Sequence, residues 1–279
     1  MKTGIIDRAY LAGTDRFSGF AKMKEHGYDC VDYGVMTTEI EPYTLTGAEY
    51  DAYVAEIRDG AQKAGIVINQ VHGPWVCPPH DSTEEGRAER LDKMKFSMKF
   101  AKDLGSKYWV VHPFMPFGCD SEGDRDEFMR VNCECFGELI KEGEKLGVTV
   151  CIENMPFPKL PLTTPYDMAD FVREMDSPYL RVCLDTGHCL ALGLKMGDCV
   201  RALGKYLAVL HVHDNPGRDW HWIPFTGNGD WLDFKAALHE VGYDGVLSLE
   251  TEIKKKEMPD DIFEYMQIGL AKMARFLAE

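Results

Sequence analysis

Short runs of β-branched, aliphatic and aromatic residues recur along the chain, each followed by a longer stretch whose apolar positions have helical spacing. The short runs fall at 3–6, 28–33, 66–71, 108–111, 148–152, 180–184, 207–210 and 246–249. The helix-like stretches fall at about 17–26, 48–64, 84–104, 124–146, 165–175, 194–204, 232–241 and 260–278. Most runs are apolar at nearly every position rather than at alternate ones. That pattern predicts strands covered on both faces, as in a parallel sheet. The punctuation agrees. Ser82 or Thr83 stands before Glu84 and Glu85 and predicts a helix N-cap, while Gly105, Gly147 and Gly242 follow helical stretches and Gly27 and Gly65 precede strands. Eight strand–helix units with no Pro/Ser-rich linker predict an α/β fold, one closed (β/α)8 TIM barrel over residues 1–279. An open doubly wound sheet would carry a Gly-rich phosphate loop after its first strand, where this chain has Asp7-Arg8-Ala9-Tyr10.

Six of the runs end on a side chain that binds metal or moves a proton: His72, His112, Glu153, Asp185, His211 and Glu250. In a barrel the C-terminal strand ends gather at one face, so these residues predict one convergent site. Singly, each has an ordinary reading as a salt-bridge partner or a hydrogen-bonded core residue. As a set they do not, because buried carboxylates repel one another and require a cation. Glu153, Asp185, His211 and Glu250 together offer hard oxygen donors and one nitrogen. That set predicts a divalent metal, Mn²⁺ first, with Mg²⁺, Co²⁺ or Zn²⁺ acceptable.

Composition narrows the partners. The length of 279 residues suits one barrel, and the 45% hydrophobic fraction is ordinary for a globular protein. A net charge of −15 disfavours a broad phosphate-binding surface, so nucleic acid is not the expected partner, while a small sugar is unaffected by it. The nine cysteines include no CxxC pair, and Cys151 and Cys183 fall inside strand runs, which reads as reduced thiols of a cytoplasmic protein. No apolar run approaches membrane-spanning length, and the first residues carry no export signal. Assembly with copies of itself stays open.

The segments Glu153-Asn154-Met155-Pro156, Asp185-Thr186-Gly187-His188, His211-Val212-His213-Asp214 and Gly227-Asn228-Gly229-Asp230-Trp231 resemble the xylose isomerase-like barrel superfamily of sugar isomerases/epimerases and type 2 AP endonucleases. The pattern is most similar to ketose 3-epimerases. That resemblance implies one divalent metal on Glu153, Asp185, His211 and Glu250. It implies that Glu153 and Glu250 are also the acid/base pair, acting through an enediolate whose charge the metal stabilises. It further implies that His188 holds a substrate oxygen and that Arg218 grips another. His72, His112 and Trp75 are further candidates for substrate contact. The endonuclease branch holds three zinc ions, and the counterparts of its additional ligands are His72, His112, His188, Asp219 and His221. Two alternatives to an isomerase therefore remain: a sugar or polyol dehydratase or lyase, and a three-zinc phosphodiesterase.

Long connections on the ligand side carry Trp75, Phe114, Phe117, Phe157, Trp220, Trp222 and Trp231, which suit the apolar face of a sugar ring or else pack the loops down. The substrate is expected to be a free or phosphorylated sugar. His26 and His239 lie in or beside helical stretches and read as surface residues. Lys254-Lys255-Lys256, after the last strand, reads as a solvated charge run.

Overall fold

Eight parallel strands alternate with helices from one end of the chain to the other. The computed structural model describes residues 1–75, 79–253 and 257–279, so the Val76-Cys77-Pro78 part of the third ligand-side loop and the Lys254-Lys255-Lys256 run lie outside the described residues. In chain order the elements are β1 (Lys2–Ile6), α1 (Arg8–Leu11), α2 (Arg16–His26), β2 (Cys30–Gly34), α3 (Gly47–Ala64), β3 (Val67–His72), α4 (Glu84–Asp103) and β4 (Tyr108–Val111). They continue with α5 (Arg125–Leu146), β5 (Thr149–Glu153), α6 (Pro165–Met175), β6 (Leu180–Asp185), α7 (Thr186–Ala191), α8 (Met196–Leu203), β7 (Leu207–His211), α9 (Trp231–Glu240), β8 (Val246–Leu249) and α10 (Asp260–Ala278).

The strands neighbour one another in the order β8-β1-β2-β3-β4-β5-β6-β7, and every pairing is parallel. The remaining gap, between β7 and β8, is bridged just past the end of β7. There the Val212 amide donates to Ser248 O at 2.8 Å, and the Glu250 amide donates to Val212 O at 3.0 Å. The sheet thereby curls into a nearly closed barrel.

Two apolar regions result. The large core lies between sheet and helices and includes Phe20, Trp109, Phe136, Phe171 and Phe234, all fully buried. A second, small cluster consists of Val110, Cys151, Cys183 and Val209, one residue from each of β4 to β7. Side chains alternate along a strand, so two residues further on each strand presents the same side. Those positions are His112, Glu153, Asp185 and His211. The small cluster is thus the floor on which the predicted site stands.

Helix ends follow the local chemistry. Thr83 caps α4, its hydroxyl oxygen accepting from the Gly86 amide at 3.0 Å. Thr164 and Asp167 form a reciprocal capping box on α6, and Pro165 occupies its first turn. Gly147 ends α5 at φ 70°, a left-handed cap that spares the strain a side chain would bring. Cys30, Cys151, Cys183, Cys189 and Cys199 are buried free thiols. Among the described residues no helix is long and apolar enough to cross a membrane.

The structure corrects one expectation at this level. His26 is not a surface residue. It is 8% exposed, and its Nδ1 lies 2.7 Å from the Tyr10 hydroxyl, because α1 folds back over the end of α2. His239 is exposed, as expected.

Candidate metal and substrate site

Glu153 at the end of β5, Asp185 at the end of β6, His211 at the end of β7 and Glu250 just after β8 each bring one donor atom within 4.8 Å of the others. His211 Nδ1 is 2.9 Å from Glu153 Oε1 and 3.2 Å from Glu250 Oε2. None of the four exceeds 9% exposure. Donor atoms roughly 2.1 Å from a shared octahedral ion lie about 3 to 4.2 Å from one another, so the spacing and the oxygen-rich donor set both fit a small divalent cation.

The electrostatics point the same way. Burial pushes the Glu153 carboxyl up, but the facing His211 and His112 rings outweigh it and hold the group well below the usual range. Asp185 is likewise held low, His188 and His213 overcoming its burial. Glu250 goes the other way: burial dominates over His211 and His221 and raises it. Burial pulls His188 down, yet Asp185 and Asp219 lift it to about 10. His112 obeys burial and falls to about 4. The surrounding rings thus offset the charge of Glu153 and Asp185 but not that of Glu250, a role a metal ion would take over.

Two imidazole groups flank this centre. On one side His72 donates from Nδ1 to Gly73 O at 2.9 Å, and its Nε2 lies 3.3 Å from Glu153 Oε2. His112 Nε2 is 3.1 Å from the same oxygen. On the other side His188 donates from Nδ1 to Asn154 O at 2.7 Å, and its Nε2 faces Asp219 Oδ2 at 3.4 Å. His221 repeats the arrangement, with Nδ1 on Glu250 O at 2.8 Å and Nε2 3.3 Å from Asp219 Oδ1.

The quoted motifs build this geometry. The Asp185 carboxylate caps α7 by accepting from the His188 amide at 2.6 Å, which fixes the strand-to-helix turn. Gly187 is required there, because a Cβ would sit 1.8 Å from the His213 ring. Asn154 brackets Asp185: its Oδ1 accepts from the Asp185 amide at 2.8 Å and its Nδ2 donates to the Asp185 carbonyl at 3.1 Å. The Gly-Asn-Gly-Asp-Trp segment wraps around the Asp214 carboxylate. That carboxylate accepts from the amides of Asn215, Gly227 and Gly229 and from Trp231 Nε1 at 2.8 to 3.1 Å. The loop that delivers Asp219 and His221 is pinned at its base by this one side chain.

An open cavity of about 620 Å³ lies over the centre, bounded by His72, Trp75, His112, Glu153, His188, Arg218, Asp219, His221 and Glu250, with an apolar wall from Met36, Met155 and Phe157. Asp185 and His211 lie beneath it, fully buried. Trp75 packs edge-on against His112 at 4.4 Å. Arg218 is at the exposed rim, 5.7 Å from the Trp220 ring, and Arg8 joins it on the cavity lining. The candidate ligands, proton carriers and substrate contacts named from the sequence are thus in one place. Not every aromatic is. Phe114 is buried against Phe136, and Trp231 is buried on Asp214, so both pack the loops and neither lines the cavity. Three residues of the site escaped the sequence reading: Asp32, Gln70 and His213, all at most 2% exposed. Asp32 and Gln70 are polar interruptions of apolar strand runs, and His213 lies two residues past His211 on the same side, which were the available signals.

With the geometry in hand, the comparison with known proteins is decisive at family level. Residues 20–268 match the family described as xylose isomerase-like TIM barrel. The chain belongs to that family. A D-psicose 3-epimerase from Ruminiclostridium cellulolyticum is 25% identical over 210 residues, covering 73% of this chain and 70% of that one. An inosose isomerase from Bacillus licheniformis is 25% identical over 238 residues, covering 81% and 80%. Among solved structures, a D-tagatose 3-epimerase-like protein superposes with a TM-score of 0.76 at 25% identity, covering 100% of this chain and 98% of that one. A D-psicose 3-epimerase crystallised in the presence of D-fructose superposes with a TM-score of 0.80 at 20% identity, covering 100% and 99%, a likeness of fold. Relatives and neighbours of this barrel are sugar epimerases and isomerases.

Proposed function

We propose that this chain is a single-domain, divalent-metal-dependent sugar isomerase or epimerase that moves a proton at the carbon beside a carbonyl. The observation that carries the reading is the convergence of Glu153 and Glu250 on His211 Nδ1, at 2.9 and 3.2 Å, at the floor of a cavity walled by Trp75 and Phe157. Glu153, Asp185, His211 and Glu250 would hold the ion, Mn²⁺ being the first expectation. A bound divalent cation would supply positive charge to oxygens of the substrate. Glu153 and Glu250 are the proton carriers. Both carboxylates border the cavity, so each can reach a substrate held over the centre. His188, anchored on Asn154, turns Nε2 to the cavity and positions a substrate oxygen. Arg8 and Arg218 at the rim are available to an anionic substituent, so a sugar phosphate and a free sugar both fit.

The anchored rings of His188 and His221 support a second cation beside the first. Each donates Nδ1–H to a carbonyl, which turns Nε2 toward Asp219. A lone pair facing a carboxylate needs either a proton or a metal between them. His72 and His112 offer a third such place at Glu153.

Mn²⁺-loaded protein incubated with free and phosphorylated ketoses in D₂O should incorporate deuterium at the carbon beside the carbonyl. Loss of water from the substrate would show the dehydratase or lyase reading to be right. Chelator-sensitive nicking of abasic duplex DNA would establish the phosphodiesterase instead.

A further inference from the structure

Beneath the four candidate ligands lies a buried polar chain that the proton-transfer chemistry does not use. His211 Nε2, on the far side of the ring from Glu153 and Glu250, is 2.9 Å from Asp32 Oδ2. His211 Nε2 has no hydrogen-bond partner, so its approach to Asp32 Oδ2 is a close charge contact, and Asp32 is the only acidic group set against that nitrogen among the described ion pairs. The Asp32 carboxylate is held in turn. Gln70 Nε2 donates to Asp32 Oδ2 at 2.9 Å and to Leu210 O at 3.3 Å, and Asn69 Nδ2 donates to Gln70 Oε1 at 3.0 Å. Asp32 is 2% exposed, and Gln70 and His211 are at 0%. A carboxylate and a carboxamide in the floor of a barrel are costly unless they hold something in place.

We propose that Asp32, held by Gln70, is a positioning residue for the metal centre: it fixes the proton of His211 on Nε2 and so presents the Nδ1 lone pair to the ion between Glu153 and Glu250. The physical reason is the tautomer. A neutral imidazole carries one proton, and the nitrogen that faces a buried carboxylate keeps it. That leaves Nδ1 bare, and the ring cannot rotate away without breaking its contact with Asp32. Without Asp32 the proton moves to Nδ1, where Glu153 Oε1 and Glu250 Oε2 both accept it, and the ring then blocks the cation it should bind. The inference rests on the metal-centre reading above and adds the group that makes His211 a ligand.

The test is Mn²⁺ affinity by competition with a fluorescent chelator, with the electron paramagnetic resonance spectrum of bound Mn²⁺ and thermal unfolding of the metal-free protein alongside. Asp32→Asn should bind Mn²⁺ about 10- to 100-fold more weakly, with an altered spectrum, while its metal-free melting temperature stays close to that of the wild type. Gln70→Leu leaves the carboxylate but frees it, and should weaken binding by a smaller factor. It also serves if Asp32→Asn does not fold. Wild-type affinity in folded Asp32→Asn, or in Gln70→Leu where the former does not fold, overturns the inference. A wild-type protein that binds no Mn²⁺ overturns the metal-centre reading instead.

Discussion

Glu250 and Glu153 differ by where water and positive charge reach them. Glu153 is 1% exposed and faced by His72, His112 and His211, whereas Glu250 borders the cavity at 9%. A glutamine at either position keeps an oxygen for a cation and loses the base. Glu153→Gln and Glu250→Gln should therefore each retain much of the Mn²⁺ and lose roughly a thousandfold or more in turnover, with His188→Asn costing less and acting partly on KM. Metal content and single-turnover rates on the same preparations check this, and near-normal turnover with metal in place would remove the two-base mechanism. A different carboxyl governs a different property. Asp7 precedes α1 and its carboxylate accepts from the Gly34 amide, yet burial, with Asp32 adding, pushes it up to about 7. Its pKa in the folded chain exceeds the unfolded value, so the folded state is favoured while the group is protonated. That advantage is lost as pH rises from about 4 to about 7 and stays lost above. Asp7→Asn should thus be more stable than wild type at pH 8, by up to about 2 kcal/mol for a half-buried group, and the gain should shrink toward pH 4. Urea unfolding at the two pH values measures it, and an equal gain at both would contradict the assignment.

At the level of elements, the strands were legible because their apolar runs are nearly unbroken, and most predicted helices begin and end within two residues of the observed ones. Two helices were not legible. α1 and α7 span four and six residues, too few for a 3.6-residue period to show. The six strand-end candidates were readable because each closes an apolar run. Asp32 and Gln70 were not, since a polar residue inside such a run acquires a meaning only when another strand sets His211 against it. The Gly-Asn-Gly-Asp-Trp segment was visible as a motif but not as a device. Its glycines make room: a Cβ on Gly227 would lie 2.4 Å from both Asn215 O and Asp214 Oδ1. Asp214→Ala would leave three amides, one buried and two part-buried, and the buried Trp231 indole without their acceptor. It should cost roughly 2 to 4 kcal/mol and release the loop that carries Asp219 and His221. Thermal unfolding should show the loss. Titration with Mn²⁺ should show the tightest site preserved, because none of its four residues lies on that loop beyond His211. Loss of all metal binding would mean that the loop organises the whole centre.

Across the whole molecule, the site and the weakest line of the barrel coincide. Seven strand pairs are joined by ladders, those of β2 with β3 and β6 with β7 each carrying one register shift, whereas β7 and β8 meet through the two hydrogen bonds at Val212. His211 and Glu250 stand on opposite sides of that seam, and Glu153 and Asp185 continue the set onto β5 and β6. A cation bound by all four would tie β8 to β7 more firmly than the backbone does, and anything that binds only the folded state stabilises it by mass action. At one hundred times its Kd the ion should contribute about 2.7 kcal/mol. Chelation should accordingly lower the melting temperature by several degrees, and the loss should be uneven. Amide hydrogen exchange should accelerate most in residues 246–250 and at Val212, with β3 and β4, paired on both sides and far from the seam, changing least. The proposed proton transfer needs that seam shut, because an opening at Glu250 would separate the two glutamates and admit water between them. Exchange that rises equally in β3 and β8 on metal removal would show that the ion stabilises the fold without closing it.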